Sequence, residues 1–207
     1  MLYAVGDIHG CLGALKGLID KLPLDDEDKI VFIGDYIDRG LESRGVVDFL
    51  IALSANHNCI FLRGNHEQML LDYVAKRDDG KIWAFNGMRQ TVVSYGGLGN
   101  LPGYHMDFFN ETRYVYEYDR WVFVHAGVRP GVSLKDQDIT DLIWIREEFV
   151  YSPEPLKSKT VVFGHTPFLS GPLIHDSKIG IDTGCVYGGA LTAIRMDDMK
   201  IFQQDCK

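Results

Sequence analysis

The sequence lacks any run of about 18 consecutive apolar residues, the length that a membrane-spanning helix needs. We also expect no cleaved leader, because the first predicted strand begins at Leu2 and the first candidate functional residue is Asp7. These two features predict a cytoplasmic protein that does not act on membranes.

Cysteine is scarce, and no two of the four cysteines have the C-x-x-C spacing of a zinc ribbon or a thioredoxin site. A chain of 207 residues buries enough apolar surface to fold without disulfide bonds. We therefore expect free, buried thiols in a reducing compartment at Cys11, Cys59, Cys185 and Cys206.

Positive charge is also in short supply, with 21 Lys and Arg against 29 Asp and Glu and a net charge of −8. A general nucleic-acid binder needs a basic surface, so the charge balance argues against a nucleic-acid polymer as partner. A small anionic substrate is still compatible with this charge, because a bound metal ion can reverse the local field.

No internal repeat, low-complexity segment or Pro/Ser-rich linker divides the chain, and its 46% hydrophobic and 24% charged residues are typical of a globular protein. We therefore expect one domain over residues 1–207. No long tail is present that would dock a regulatory subunit, and we expect no obligate subunit.

Short apolar runs alternate with helical patterns in the first third of the chain. Runs at residues 2–5, 29–33 and 59–62 predict strands, and apolar residues at helical spacing over 12–22 and 46–53 predict helices between them. This order predicts parallel βαβ units with right-handed crossovers, and so an α/β fold.

The rest of the chain mixes both kinds of pattern. The sequence predicts helix to about residue 95, then a glycine-rich loop to 103, after which strands take over. The expected elements are strands at 114–118, 121–124 and 160–163, a short helix near 138–149, and a closing antiparallel pair at 178–182 and 190–196.

Five predicted strands are followed by side chains able to bind metal or transfer protons, in four cases after a glycine. Since ligands of open α/β sheets bind at the carboxyl ends of strands, these side chains are expected to converge on one crevice. They are Asp7, His9, Asp35, Asp38, Asn65, His66, His125 and His165. One such Asp or His alone would be an ordinary turn or surface residue, which is how we interpret His57, His105 and His175.

The ligand types narrow the chemistry. Imidazole mixed with carboxylate and amide oxygen suits Mn, Fe or Zn rather than copper or an iron–sulfur cluster. Six candidate ligands are too many for one tetrahedral zinc, but they suit two ions that share a bridging Asp. Two such ions lower the pKa of a bridging water and clamp phosphoryl oxygens, which predicts metal-assisted phosphoester hydrolysis.

Basic residues beside these motifs fit a phosphate substrate. Arg39 and Arg63 flank the expected metal centre, and a guanidinium grips phosphate oxygens with a fork of donors. Arg146 is a further candidate, or else an ordinary helix-surface arginine. His66 is the expected general acid, with Asp38 as the carboxylate that orients it.

Five ordered motifs resemble the signature of the PPP-type metallophosphoesterases. They are GDIHG at 6–10, GDYIDRG at 34–40, GNHE at 64–67, HAG at 125–127 and GHTP at 164–167. The resemblance implies a calcineurin-like β-sandwich of two mixed sheets flanked by helices, with a dinuclear metal site at the carboxyl ends of the strands.

The resemblance also implies a role for each residue. Asp7 and His9 would bind one ion, Asp35 would bridge, and Asn65, His125 and His165 would bind the other. His66 would be the general acid, paired with Asp38, and the phosphate would be held by Arg39, Arg63 and Arg146. Tyr187 would lie beside the pocket, where family members often place an aromatic residue, or serve only in packing. Manganese is the expected metal, with Fe, Zn or Ni as alternatives.

Two branches of the family compete. The Asp38-Arg39 pair and Glu67 look like the Ser/Thr protein phosphatases of bacteria and phages, which is our main expectation, with phosphoserine and phosphothreonine proteins as substrates. The alternative is a symmetrical diadenosine tetraphosphate hydrolase, with a nucleotide polyphosphate as substrate. A catalytically dead phosphopeptide-binding module is disfavoured because no predicted ligand is missing, and a structural metal protein because paired cysteines are absent.

Overall fold

Two five-stranded sheets form the centre of the computed structural model, which describes residues 1–206. The strands described are β1 (Leu2–Val5), β2 (Lys29–Phe32), β3 (Asn58–Phe61), β4 (Val115–Tyr118), β5 (Trp121–Val124), β6 (Thr160–Phe163), β7 (Leu173–His175), β8 (Lys178–Gly180), β9 (Ala190–Arg195) and β10 (Lys200–Asp205). The α-helices described are α1 (Leu12–Ile19), α2 (Ser43–Ser54), α3 (Asn65–Val74), α4 (Lys81–Phe85), α5 (Met88–Tyr95), α6 (Gly103–Glu111), α7 (Ile139–Trp144) and α8 (Glu147–Val150).

Both sheets are mixed. The first has the order β10-β9-β1-β2-β3, in which β1, β2 and β3 are parallel and β9 runs antiparallel to β1. The second has the order β4-β5-β6-β8-β7, with β5, β6 and β8 parallel and both edge strands antiparallel. The predicted fold class, an α/β sandwich of two mixed sheets flanked by helices, is therefore confirmed.

The period-two alternation of strand side chains builds the layers. In β1, Leu2 and Ala4 pack in the cluster between the sheets, together with Phe123 of β5. Tyr3 and Val5 point the other way, into the cluster formed with the helices that cover the first sheet. A third cluster packs the outer face of the second sheet against α7 and α8. The strands are thereby fixed in place, and so are the loops at their carboxyl ends.

The end of the chain differs from the prediction. The expected closing antiparallel pair is wrong, because β8 lies beside β6 in the second sheet while β9 lies between β1 and β10 in the first. The residues between β8 and β9 therefore cross from one sheet to the other and form a short 3₁₀ helix, Cys185–Tyr187, in place of a hairpin turn. The expected change from loop to strands after residue 103 is also wrong, because α6 begins there and buries Phe108 and Phe109.

Two cysteines form a disulfide bond, so the expectation of four free thiols is wrong. Cys185 in the crossing segment is bonded to Cys206, which follows β10, and their Cα atoms are 5.2 Å apart. Cys11 and Cys59 are free, as expected, but they are half-buried rather than buried. Within residues 1–206 no helix is long and apolar enough to span a membrane.

Candidate metal centre

The loops that follow the parallel strands meet at one edge of the sandwich. Asp7 and His9 follow β1, Asp35 and Asp38 follow β2, Asn65 and His66 begin α3 after β3, His125 follows β5, and His165 follows β6. Four of these residues have φ in the left-handed region, which non-glycine residues rarely adopt, and such strain is concentrated at functional sites. They are His9, Asp35, Asp38 and His165, with φ between 45° and 71°.

Glycines let the loops approach one another closely. A Cβ atom on Gly64 would overlap the carboxylate and the backbone nitrogen of Asp35. A Cβ atom on Gly164 would overlap the Oδ1 atom of Asp7. Glycine is therefore required at positions 64 and 164, because a side chain there would collide with the carboxylates of Asp35 and Asp7.

Asp35 lies at the centre of the cluster and faces two groups of ligands. Its Oδ2 atom is 3.4 Å from Nε2 of His9, and its Oδ1 atom is 3.4 Å from Nε2 of His125. Nε2 of His125 is also 3.0 Å from Oδ1 of Asn65. Ligand atoms of Asp35, His125 and His165 lie within 4.8 Å of one another, and so do those of Asp35, His9 and His66. One carboxylate thus joins two sets of metal-ligating atoms, as a shared bridging ligand would.

Hydrogen bonds at Nδ1 turn the Nε2 atoms of His9 and His125 toward the cluster. Nδ1 of His9 donates to the carbonyl of Ile37 at 2.8 Å, and Nδ1 of His125 donates to that of Ile33 at 3.1 Å. A carbonyl oxygen only accepts, so the proton of a neutral ring is fixed on Nδ1 and Nε2 faces the cluster. This arrangement is typical of histidines that bind metal through Nε2.

Two buried atoms without hydrogen-bond partners indicate where metal ions would fit in the cluster. Oδ1 of Asp7 and Nε2 of His165 are buried and have no hydrogen-bond partner, although leaving such atoms unpaired costs about 1–3 kcal/mol each. The Oδ2 atom of Asp7 accepts from the backbone N–H of His165 at 3.0 Å, which holds the two residues together. The donor set of imidazole, carboxylate and amide oxygen therefore fits divalent ions at these unpaired atoms.

Electrostatics of the protein alone lead to the same conclusion. Burial raises the pKa of Asp7 well above its usual value, and the neighbouring carboxylate of Asp182 adds to the rise. Burial alone would lower the pKa of His125, but the carboxylate of Asp35 outweighs it and raises the pKa to about 9. Without a metal ion, a proton on His125 therefore offsets part of the negative charge of the buried carboxylates. A bound divalent cation would offset this charge instead of the proton.

A second unit, the His66–Asp38 dyad, lies against the cluster. Nδ1 of His66 donates to Oδ2 of Asp38 at 2.6 Å, and both side chains are fully buried. Nε2 of His66 has no hydrogen-bond partner and lies 3.8 Å from Oδ2 of Asp35. The dyad thus directs one ring nitrogen of His66 into the site, where it can transfer a proton.

Asp38 has two further partners that the sequence did not single out. The indole Nε1 of Trp83 donates to its Oδ2 atom at 2.6 Å, and the hydroxyl of Thr91 donates to its Oδ1 atom at 2.5 Å. The backbone N–H of Asp38 donates to the hydroxyl oxygens of Thr91 and Ser43. Both carboxylate oxygens of Asp38 are therefore held by donors from α4 and α5.

Glu67 is a further residue at the site, and its position in the sequence predicted no role for it. Its Oε2 atom accepts from the backbone N–H groups of Asp35 at 2.9 Å and Gly64 at 3.0 Å, and its Oε1 atom accepts from that of Tyr36 at 2.8 Å. It is fully buried, and this burial raises its pKa to about 7. Glu67 thus fixes the loop that carries Asp35, and the GNHE motif was the available signal.

Two of the predicted phosphate ligands lie at the cluster. Nη1 of Arg39 donates to Nε2 of His9 at 2.7 Å, and its guanidinium lies 5.6 Å from the ring centroid of Tyr187, which is 58% exposed. Arg146 precedes α8 and is exposed, and its charge adds to the burial that lowers the pKa of His165. Arg39 can therefore reach an anion in front of the cluster, and Arg146 is near enough to act on His165 through its charge.

Arg63 lies elsewhere, and the structure contradicts its predicted role. Its Nε atom donates to the hydroxyl of Thr112 at 2.8 Å, and its Nη2 atom donates to the carbonyls of Phe109 and Asn110, each at 2.9 Å. Nη1 is bonded to the hydroxyl of Tyr114 and to Oε1 of Gln68. The guanidinium therefore caps the end of α6, and its hydrogen-bond partners include none of the predicted metal ligands.

His105 also departs from the prediction of a surface residue. It is fully buried, with Nδ1 2.7 Å from the hydroxyl of Tyr95 and Nε2 2.9 Å from Oδ1 of Asp48. It joins α2, α5 and α6 and has no part in the cluster. His175 is exposed, in agreement with its interpretation.

Two bacterial relatives of known class align with nearly the whole chain. An asymmetrical bis(5'-nucleosyl)-tetraphosphatase of Halalkalibacterium halodurans is 28% identical, over 95% of this chain and 90% of that protein. A symmetrical bis(5'-nucleosyl)-tetraphosphatase of Nitrosospira multiformis is also 28% identical, over 99% and 96%.

Solved structures share the fold. The crystal structure of a putative diadenosine tetraphosphatase superposes with a TM-score of 0.79 at 24% identity, covering 99% of this chain and 92% of that one. A serine/threonine phosphatase of Saccharomyces cerevisiae superposes with a TM-score of 0.70 at 16% identity, covering 99% and 78%. The model of the calcineurin-like phosphoesterases matches residues 2–189, and the chain therefore belongs to the calcineurin-like phosphoesterase family.

Proposed function

We propose that this protein hydrolyses bis(5'-nucleosyl) tetraphosphates at a dinuclear metal centre. The observation that carries the hydrolytic part is the Asp35 carboxylate, which is shared by two groups of possible metal ligands, one with His9 and His66 and one with His125 and His165. Of these, we assign His66 to proton transfer because its Nδ1 atom is bonded to Asp38. The relatives named above support the nucleotide substrate, since they are tetraphosphatases that align over nearly the whole chain. They favour a tetraphosphate hydrolase over the protein phosphatase that the sequence motifs led us to expect.

Six residues would hold the ions: Asp7, His9, Asp35, Asn65, His125 and His165. Two bound divalent ions would supply an activated water and neutralise phosphate oxygens, and manganese is the ion that we expect first. For His9 to bind an ion through Nε2, Arg39 must give up its present hydrogen bond to that atom. Its guanidinium would then be free to bind a phosphate of the substrate.

His66 would protonate the leaving oxygen. Its Nδ1–H is held by Asp38, so the proton to be transferred is at Nε2, the unpaired atom that faces the cluster. When the phosphoanhydride of a tetraphosphate is cleaved, the leaving oxygen belongs to a nucleotide phosphate and receives this proton.

Arg39 and Arg146 would bind the phosphate chain. Arg39 approaches the cluster from the loop after β2, and Arg146, at the start of α8, would approach the same anion from a different element. A polyphosphate carries several negative charges and benefits from both arginines in addition to the ions.

The experiment compares two substrates on the same protein. Chelator-stripped protein is reloaded with manganese and given diadenosine tetraphosphate or a phosphoserine peptide at matched concentrations. We expect faster cleavage of the dinucleotide, and the products distinguish two ADP from AMP plus ATP. Faster release of phosphate from the peptide would overturn the nucleotide proposal in favour of a protein phosphatase.

A further inference from the structure

A groove of about 620 Å³ opens beside Arg39, between the start of α1 and the disulfide-bonded end of the chain. Its lining includes Arg39 and Leu41 on one side, and Val186 and Asp205 on the other. We call it the Arg39 groove. Its volume lies in the range of sites that take a small molecule.

The lining combines three kinds of group. The guanidinium of Arg39 belongs to both the groove and the metal cluster, since it donates to His9. Leu41, which is 77% exposed, and Val186 offer apolar surface to a ligand. Glu42 and Asp205 add two carboxylates, which accept hydrogen bonds and repel anions.

This combination fits a nucleoside joined to phosphates. A phosphate chain would stay with Arg39 and the cluster, because the two carboxylates repel it from the rest of the groove. A flat base would cover the apolar surface of Leu41 and Val186. Removing this surface from water would contribute favourable free energy to binding. Hydroxyl groups of the ribose and amino groups of the base are donors, which is what Glu42 and Asp205 can bind.

We infer that the Arg39 groove binds one nucleoside of the substrate and so selects nucleotides over other phosphate esters. The inference rests on the proposed function and names the part of the molecule that would recognise its substrate.

Gly13 gives a way to close the groove without touching the cluster. It lies in α1 and lines the groove, and a Cβ atom placed there meets nothing within 4 Å. A larger side chain at this position therefore extends into open space rather than into the core. Gly99 is a matched control, because a Cβ atom there also meets nothing within 4 Å and the residue does not line the groove.

The test measures KM for diadenosine tetraphosphate and for 4-nitrophenyl phosphate, which has no nucleoside. We expect Gly13→Phe to raise the first KM about tenfold or more and to change the second by less than about twofold, since only the nucleoside contact is lost. Gly99→Phe should change neither. Leu41→Ser, at an exposed position, should raise KM for the dinucleotide alone, in the same direction and by a smaller factor.

An unchanged KM for the dinucleotide in Gly13→Phe would overturn the inference, even if the wild-type protein is an efficient tetraphosphatase. A selective loss for a phosphopeptide with a flanking lysine, with the dinucleotide unaffected, would overturn it in favour of a peptide groove.

The groove can still be tested if the protein does not cleave the dinucleotide. If the wild-type protein cleaves 4-nitrophenyl phosphate but not the dinucleotide, inhibition of the aryl phosphatase reaction by ADP and by pyrophosphate still tests the groove. Stronger inhibition by ADP that is lost in Gly13→Phe supports a nucleoside site. Equal inhibition by both overturns it.

Discussion

Trp83→Phe is the change that isolates the dyad from the metal centre. It removes one hydrogen bond, from Nε1 of Trp83 to Oδ2 of Asp38 at 2.6 Å, and keeps an aromatic ring in the fully buried site beside Tyr73. Trp83 ligates no ion in our proposal. The variant therefore tests whether proton transfer by His66 depends on the hydrogen bond that positions the Asp38 carboxylate.

The magnitude follows from the contact that is lost. A hydrogen bond to a charged group contributes about 1.5–3 kcal/mol, and each 1.4 kcal/mol corresponds to about tenfold in rate. Thr91 still donates to Oδ1 of Asp38 at 2.5 Å, so we expect a value near the lower end. The expected loss is about tenfold for a leaving group that needs protonation by His66.

The assay compares phenyl phosphate, a poor leaving group, with 4-nitrophenyl phosphate, a good one. We expect kcat to fall about tenfold for the first and less than about threefold for the second, because nitrophenolate needs little protonation. Trp121→Phe is the control, since Trp121 lies at the start of β5, at the opposite end of the strand from His125. An equal loss on both substrates in Trp83→Phe would refute the reasoning.

Three other changes give separate tests. His66→Asn should lower turnover by about 10²–10⁴-fold on phenyl phosphate, with a much smaller loss on 4-nitrophenyl phosphate, and equal losses would sink the general-acid role. Gly164→Ala places a methyl group against Oδ1 of Asp7 and should weaken manganese binding about tenfold or more by calorimetry, so unchanged affinity would count against Asp7 as a ligand. Cys206→Ser removes the bond to Cys185 across 21 positions and should lower the free energy of unfolding by about 3 kcal/mol. Reductant should lower wild-type stability similarly, and a wild-type protein indifferent to reductant would show that the disulfide contributes nothing.

The strand ends could be predicted because their signal is local. An apolar run, a glycine and a polar side chain follow one another along the chain, and the parallel order of β1, β2 and β3 brings the carboxyl ends together. Asp35 and His125 thus meet in space although they are far apart in sequence. The same logic predicted the His66–Asp38 pair, whose atoms are 2.6 Å apart.

Features that depend on side-chain direction or sheet order were missed. Arg63 stands next to Gly64 in the motif, but its place in the sequence does not fix where its side chain points, and here it caps α6. Trp83 reaches Asp38 only because α4 packs near α3, a contact for which the sequence carries no periodic signal. The Cys185–Cys206 bond depends on β10 closing the edge of the first sheet, which the pattern of residues 200–205 did not predict.

A metal titration followed by two readouts tests the central claim most directly. Manganese is added stepwise to chelator-stripped protein while bound metal and cleavage of diadenosine tetraphosphate are measured on the same samples. The account predicts two ions per chain and cleavage that rises with their binding, and it predicts that Asp35→Asn, which replaces the carboxylate shared by both ligand sets, loses both. Full cleavage of the dinucleotide by metal-free protein, or by Asp35→Asn, would contradict it.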